Sequence, residues 1–279
     1  MDLIQLQTFL AVADGGSFSA ASTRLHSVQS NITQRIKKLE EDLGGVLFER
    51  GRAGARLTPL GERLLPQARE ILSHVATVRS DLRDASGEAA PLRLGALETT
   101  AGSRLPPVLR ALADRAPKAE LRLVTGSSGV LSGKVWTREI DAALVVGDVD
   151  PDRFHAVPVF TETLVVVTAA SGASDRVLLA FSDGCSYRAA AQTWLRQKGR
   201  ADTPVRDFGA LDTILGCVGA GMGFAIAPES AVRTYNALDT LALAPLDDAM
   251  SVSTTSLIKR HDTRTTRTMR TLEAILSEQ

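Results

Sequence analysis

Seven polar side chains crowd one short stretch near the amino terminus: Gln29, Ser30, Asn31, Thr33, Gln34, Arg35 and Lys37. Together these types suit the reading of duplex DNA. Gln and Asn can bond an adenine edge bidentately, Arg can do so to guanine, and Ser and Thr reach bases or phosphates. Interleaved with them, Val28, Ile32, Ile36, Leu39 and Leu43 step by four, four, three and four, which predicts a helix with all five inward. Ser27 is expected to cap that helix, whose free N–H groups favour phosphate. A polar helix face alone is more often plain solvated surface, so the neighbouring elements must carry the argument.

Upstream, Leu3, Leu6, Phe9, Leu10 and Ala13 fall at helical spacing, and Gly15-Gly16 stops that helix. Ser17 is a natural cap for a second helix over about 18–25, with Phe18, Ala21 and Leu25 on one face. Two helices joined by a short turn, the second polar near its start, form a helix-turn-helix. Next, Val46–Phe48 and Arg56–Thr58 read as short strands around the turn Glu49–Ala55. A wing carrying Arg50, Arg52 and Arg56 can lie along a minor groove. Thr58-Pro59 opens a helix over 60–87, about 40 Å long. Along it Leu64, Ala68, Ile71, Val75, Val78 and Leu82 make an a/d seam suited to a second copy, the alternative being packing on its own domain. Pro66 should bend its first turn, and Asp84–Pro91 reads as a linker.

A second group of polar residues sits at predicted strand ends. Strands are expected at 92–96, 120–125, 141–146, 154–160 leading into 164–168, 176–181, 205–206, 224–227, 241–243 and 252–258. Helices are expected over 103–115, 128–137, 187–199, 210–220 and 263–276. Such alternation implies mostly parallel sheets with helices on both faces, and ligands beyond the strand C-termini. Glu98, Thr99 and Thr100 follow the first strand, where hydroxyls could hold an anion or merely cap a helix. Glu98 would oppose an anion unless Arg188 or Arg104 compensates. Ser127, Ser128 and Gly147 are similarly placed; Cys185, Ser186, Tyr187 and Arg188 face them, and Phe224 is expected as a wall. A helix N-terminus and Arg188 would lower the Cys185 thiol pKa, a redox-sensor pattern, although buried cysteines more often simply pack. Gly219–Gly223 lacks the GxGxxG spacing and reads as a tight turn.

The 279 residues allow about two domains. Net charge is zero, from 32 basic and 32 acidic residues, which argues against coating nucleic acid over the whole surface. Arg24 to Arg56 nevertheless holds seven basic against four acidic residues. Two cysteines and four scattered histidines form no zinc or disulfide pattern. No signal peptide and no apolar run of about 18 residues is visible, so a cytoplasmic protein without a membrane partner is expected. A nucleophile elbow, HExxH and paired carboxylates with a supporting motif are all missing, so no enzyme is expected. The last two thirds would also suit a solute-binding protein of a transport system; the reader and the lack of an export signal count against that.

The whole chain resembles a LysR-type transcriptional regulator, most strongly at SFSAAS (17–22), RLHSVQSNITQRIKKLEEDLG (24–44), LFER (47–50) and LTPLGERLL (57–65). The resemblance implies an α/β protein with an N-terminal winged helix-turn-helix (1–58) and a long linker helix for dimerisation (59–87). It also implies a two-subdomain, periplasmic-binding-protein-like α/β effector domain (91–279). Subdomain I would span about 91–161 plus 263–279 and subdomain II about 162–262, crossed by two hinge strands. The implied partners are double-stranded DNA, a small-molecule effector, a second copy within a dimer of dimers, and RNA polymerase if it activates. No cofactor is implied. The family often has Ser-Arg where this chain has Thr33-Gln34, with Arg35 following about 100° round the helix. That leaves the guanine contact open between these side chains. Gln29, Ser30, Asn31 and Thr33 are expected near base edges, with Arg35 and the wing arginines on backbone or groove. The family's inducer commonly meets the segment that holds Thr99 and Thr100 here.

Overall fold

The computed structural model describes residues 1–51, 54–87, 90–172, 176–236, 238–246 and 251–279. Contacts divide the chain into two compact units, Met1–Leu82 with Thr137–Glu139, and Arg83–Trp136 with Ile140–Gln279.

The first unit opens with three helices, α1 (Leu3–Gly15), α2 (Phe18–Arg24) and α3 (Gln29–Leu43). Asp2 and Gln5 form a reciprocal capping box at the start of α1, at 2.8 and 2.7 Å. Gly16 ends α1 at φ +64°, and the Ser17 hydroxyl caps α2 by accepting from the Ala20 N–H at 3.1 Å. The cap of α3 departs from expectation. Val28, not Ser27, holds the cap position, without a side-chain bond, and Val28 is 62% exposed. Of the five apolar residues expected inward, Ile32, Ile36 and Leu39 are sealed, while Leu43 is exposed with Val28. Val28 precedes the helix and Leu43 is its last residue, so both overhang the core.

Strands β1 (Phe48–Gly51) and β2 (Gly54–Leu57) form an antiparallel hairpin that takes in most of the predicted turn. The Ala55 N–H donates to the Gly16 carbonyl at 2.8 Å, tying the wing to the α1–α2 turn. Phe48 packs against Phe9 and Phe18, with ring centroids 5.3 and 5.9 Å apart. Helix α4 (Pro59–Ala85) starts on Thr58, whose hydroxyl accepts from the Gly61 N–H at 3.1 Å. Pro66 lies inside it. Its first turns belong to the reader's core, where Ala68 is sealed and Leu64, Leu65 and Leu72 pack. Beyond them Ile71, Val78 and Leu82 stand exposed.

The second unit contains β3 (Leu92–Ala96), α5 (Glu98–Ser103), α6 (Leu105–Arg115), β4 (Leu121–Thr125), α7 (Ser128–Trp136) and β5 (Ala142–Val146). Strand β6 (Phe154–Ala169) follows, then β7 (Leu178–Phe181), α8 (Ser186–Gln197), β8 (Val205–Phe208) and α9 (Leu211–Gly219). The chain closes with β9 (Ala225–Pro228), α10 (Glu229–Val232), β10 (Leu241–Pro245), β11 (Val252–Arg260) and α11 (Arg267–Ser277). The sheet order is β10-β6-β11-β5-β3-β4, with β9 also on β6 and a separate β7-β8 pair. Among the described residues β3-β4, β3-β5 and β7-β8 run parallel, as does an isolated bridge between Leu178 of β7 and Phe224; every pairing of β6 and β11 is antiparallel. The expectation of mostly parallel sheets is therefore corrected.

Strand β6 also corrects the expected pair of segments, for its 16 residues are continuous. Phe154–Thr163 pair with β11, and Leu164–Ala169 pair with β9 and β10. One strand thus serves two lobes. In the first, Leu144 and Ala142 face α6 and α11, while Ala143 and Val145 face α7. In the second, Val165 and Val167 pack toward α9 and Leu164 toward α8. At the junction Glu162 is 3% exposed. Its carboxylate accepts from Arg104 Nε at 2.6 Å and Nη2 at 3.1 Å, and from the Ser230 hydroxyl at 2.6 Å. Arg104 joins α5 to α6 and Ser230 lies on α10, so the buried carboxylate ties the two lobes.

Two stability outcomes follow from this packing. In Gly61→Ala the new Cβ would stand 2.3 Å from the Leu47 carbonyl oxygen, which is backbone. The cost is expected at about 1–3 kcal/mol in chemical unfolding, whereas Gly129→Ala, in open space on α7, should gain up to about 1 kcal/mol. Arg104→Met leaves the Glu162 carboxylate buried and half-paired, a loss of about 3 kcal/mol; an unchanged unfolding midpoint would show that the tie carries no load.

Candidate functional site

Polar side chains gather in two places. On the first unit, sealing Ile32, Ile36 and Leu39 turns Ser30, Thr33, Gln34 and Lys37 outward, at 100° per residue. Among the described residues Gln29, Ser30, Thr33 and Gln34 have no side-chain hydrogen-bond partner, so their donors and acceptors face solvent. Lys37 lies 3.7 Å from Glu41, one turn on. Asn31 and Arg35 lie on the flank, where with Gln34, Lys38, Asp2, Ile4 and Gln5 they line a shallow cleft of about 370 Å³ beside the start of α1. Ser27 stays in the turn, its N–H donating to the Ser22 carbonyl at 3.0 Å. On the wing Arg56 is exposed opposite Glu49, and the backbone of Arg50 pairs with Ala55. Arg52 lies outside the described residues. Sequence reasoning missed Asp14, which accepts from Arg24 at 3.2 Å and Arg69 at 2.8 Å and braces α1 against α4.

On the second unit a cleft of about 280 Å³ opens between the lobes. Leu97, Glu98, Thr99, Thr125, Gly126 and Ser127 line it from the first lobe. Phe181, Ser182, Asp183, Cys185, Tyr187 and Gly209 line it from the second. Of the expected residues, Glu98, Thr99, Ser127, Cys185 and Tyr187 therefore meet there. Thr125, Phe181, Ser182, Asp183 and Gly209 escaped the sequence reading, although the strand-end rule points to them: β4, β7 and β8 end there.

The other expected pocket residues have different work. Thr99 and Thr100 lie inside α5, not at its cap, which is Leu97; Thr100 is buried away from the cleft lining. Ser128 and Ser186 form a network across the lobes. The Ser186 hydroxyl donates to the Val146 carbonyl at 3.0 Å, the Val146 N–H donates to the Ser128 hydroxyl at 3.1 Å, and the two hydroxyls lie 3.4 Å apart. Gly147 sits beside that network at φ +99°, the left-handed region that favours glycine. Phe224 is 1% exposed, in the core beneath Trp194, and walls nothing. Arg188 turns back on its own lobe, donating to the Phe181 carbonyl at 3.0 Å, bonding Asp207 and pairing with Asp183 at 3.0 Å.

The titrations follow from burial. Desolvation raises the Cys185 thiol, outweighing the Arg188 and Tyr187 amides and the Arg188 charge that lower it. This reverses the expected lowering, and the thiol stays protonated at neutral pH. Desolvation likewise pushes the Tyr187 phenol up to about 12, keeping it a hydroxyl. The hydroxyls of Tyr187 and Thr99 are both buried without a well-formed hydrogen bond. No helix of the described residues is long and apolar enough to cross a membrane.

Two family models match the chain. Residues 3–62 fit the bacterial regulatory helix-turn-helix protein of the lysR family, and residues 85–279 fit the LysR substrate binding domain. The HTH-type transcriptional regulator YusT of Bacillus subtilis (strain 168) is 34% identical over 276 residues, covering 97% of this chain and 94% of that one. The crystal structure of CbnR, a LysR family transcriptional regulator, superimposes with a TM-score of 0.75 at 23% identity, covering 100% of this chain and 99% of CbnR. Full-length CbnR complexed with its target DNA gives 0.74 at 22% identity, with coverage of 100% and 99%. With a helix-turn-helix reader ahead of a substrate-binding domain along nearly its whole length, the chain belongs to the LysR family of transcriptional regulators.

Proposed function

We propose that α3 enters the major groove of duplex DNA and that a small molecule in the interlobe cleft controls how the assembled protein holds its operator. The carrying observation is the outward stripe of α3, where Gln29, Ser30, Thr33 and Gln34 have no side-chain hydrogen-bond partner among the described residues while the opposite face is sealed in the core. Gln29, Ser30, Thr33 and Gln34 read base edges, with Asn31 beside them. Arg35, Lys37 and the wing arginines Arg50, Arg52 and Arg56 grip phosphate or the minor groove. CbnR, solved on its target DNA, supports the same reading here.

In this reading residues 1–58 are the reader and 59–87 the pairing helix. Residues 91–279 hold the effector, with one lobe of about 91–161 plus 263–279 and another of about 162–262. Copies join through α4 into a dimer and then a dimer of dimers. Glu98, Thr99, Ser127, Cys185 and Tyr187 meet the effector, which is released unchanged; the protein is a switch and not an enzyme. It works in the cytoplasm and, where it activates, contacts RNA polymerase. The Ser128–Ser186 network and the Glu162 tie hold one arrangement of the lobes, and an effector shifts the balance by binding one arrangement better.

Arg56→Ala should weaken binding to every sequence and flatten the salt slope by about 0.9. Gln29→Ala should instead cost about 1–3 kcal/mol of discrimination at one base pair and leave the slope alone. Footprinting titrations at several salt concentrations separate the two; identical behaviour of both variants would refute this division of labour. Filling the cleft with Ser127→Trp should abolish small-molecule effects on operator affinity, and a variant that still responds would place the effector elsewhere.

A further inference from the structure

The charged groups of the interlobe cleft have one sign. Among its lining residues only Glu98 and Asp183 carry carboxylates, and no lysine, arginine or histidine joins them. Asp183 already has a partner in Arg188. Glu98 is exposed at the start of α5 and has no ion-pair or hydrogen-bond partner among the described residues. The two guanidiniums that could have neutralised it are committed elsewhere. Arg104 is held by Glu162, and Arg188 by Asp207, Asp183 and the Phe181 carbonyl. A bound anion would meet Glu98 without a compensating cation, which like-charge repulsion disfavours.

Behind Glu98 two hydroxyls wait. Thr99 is 6% exposed and Tyr187 3%, and neither oxygen has a well-formed hydrogen bond. Buried polar groups are rarely left so. Both residues line the cleft, and Tyr187 stays protonated, so it can donate as well as accept. Leu97, Phe181 and the Tyr187 ring add apolar wall. An apolar wall and one unpaired carboxylate together describe a site for a small molecule with a positive head.

We infer that the cleft takes an ammonium-bearing ligand, its cation on Glu98 and its carbon skeleton against Leu97 and Phe181. This rests on the effector reading above and adds the sign of the ligand's charge. A carboxylate on the same molecule is compatible with it; a carboxylate alone is not.

The test is calorimetric titration of the full-length protein with matched probes that differ only in head group: phenethylamine, phenylalanine, 3-phenylpropanoate and 2-phenylethanol. A second series uses butylamine, norvaline, pentanoate and butanol. The expected result is saturable binding by an amine or amino acid, at least about tenfold tighter than its plain carboxylate. Glu98→Gln should weaken that binding about 10- to 100-fold, and Glu98→Lys should transfer the preference to the carboxylate. An amine that binds alone selects a simple cation, and an amino acid that binds better selects a zwitterion; either supports the inference. Carboxylates binding as well as amines, an unaffected Glu98→Lys, or no saturable binding in either series would overturn it. Ser127→Trp, checked for an intact unfolding transition, separates the two readings. If carboxylate binding is lost in that variant, the cleft stands and only the charge assignment falls; if binding persists, the cleft itself is wrong.

Discussion

Strand β6 belongs to two sheets at once, and the second unit is arranged around that fact. Its first half pairs with β11 and its second with β9 and β10, so a carboxylate at the crossover, Glu162, lies between the lobes with almost no access to water. An uncompensated carboxylate there would cost several kcal/mol. Two hydrogen bonds from Arg104 and one from Ser230 remove that penalty, and they come from different lobes. The interaction does more for specificity than for stability: an apolar residue could fill the space, but it would not dictate which turn of α10 faces the α5–α6 junction. The ladder slips between Thr255 and Ser256 on β11, close to the same crossover. A bulge bends a strand and increases its twist, which suits a strand leaving one sheet for another.

A cleft bounded by such a crossover can open and close without breaking either core. The four side-chain cores of the unit are confined to single lobes, save for Leu97 and Val146, which lean on the second lobe. The Ser186 hydroxyl's contacts with Val146 and Ser128, and the Glu162 cluster, are polar links across it. Each neutral link is worth about 1 kcal/mol net. A ligand with a few kcal/mol of preference for one lobe arrangement therefore competes on equal terms with them. This is the range a metabolite-sized molecule supplies, and it makes the arrangement responsive instead of fixed.

Much of the reader was legible in the sequence because its signals are local. Ser17, Gly16, Thr58 and Pro59 act over three or four residues, and the sealed trio Ile32, Ile36 and Leu39 follows from periodicity alone. The cap of α3 was misread because a serine was available one residue early; backbone geometry at Val28 decided the start. In the second unit, alternating strands and helices suggested parallel pairing. That inference needs a helix between successive strands, and none lies in the described connection from β5 to β6. Thr161-Glu162-Thr163 looked like a break between two strands because polar residues interrupted an apolar run. They mark the crossover, where polarity serves a buried cluster. The cleft was half legible. Strand ends located it, but Ser128, Ser186 and Arg188 are consumed by contacts with residues 18 to 40 positions away, and such contacts leave no local trace.

The seam on α4 shows how packing narrows what a sequence pattern offers. Six a/d positions were legible, yet Leu64 and Ala68 are spent on the reader's own core. What remains outward is Ile71, Val78 and Leu82, with Val75 half-buried between them. Burying one such side chain contributes about 1.5–3 kcal/mol, and association costs on the order of 4–15 kcal/mol in lost freedom. Three or four residues per copy leave a dimer held by this helix alone only modestly stable at cellular concentrations. A durable assembly would need further surface, and the second unit also exposes apolar groups. Strand β4 is a sheet edge carrying exposed Leu123, and α7 exposes Val130 and Trp136. Unpaired edges and large exposed apolar groups are features that monomeric proteins tend to blunt. On the second unit the exposed apolar groups and the cleft geometry share an element, since α7 begins at Ser128 in the interlobe network. A change in lobe arrangement would therefore move that exposed face directly, without any separate relay.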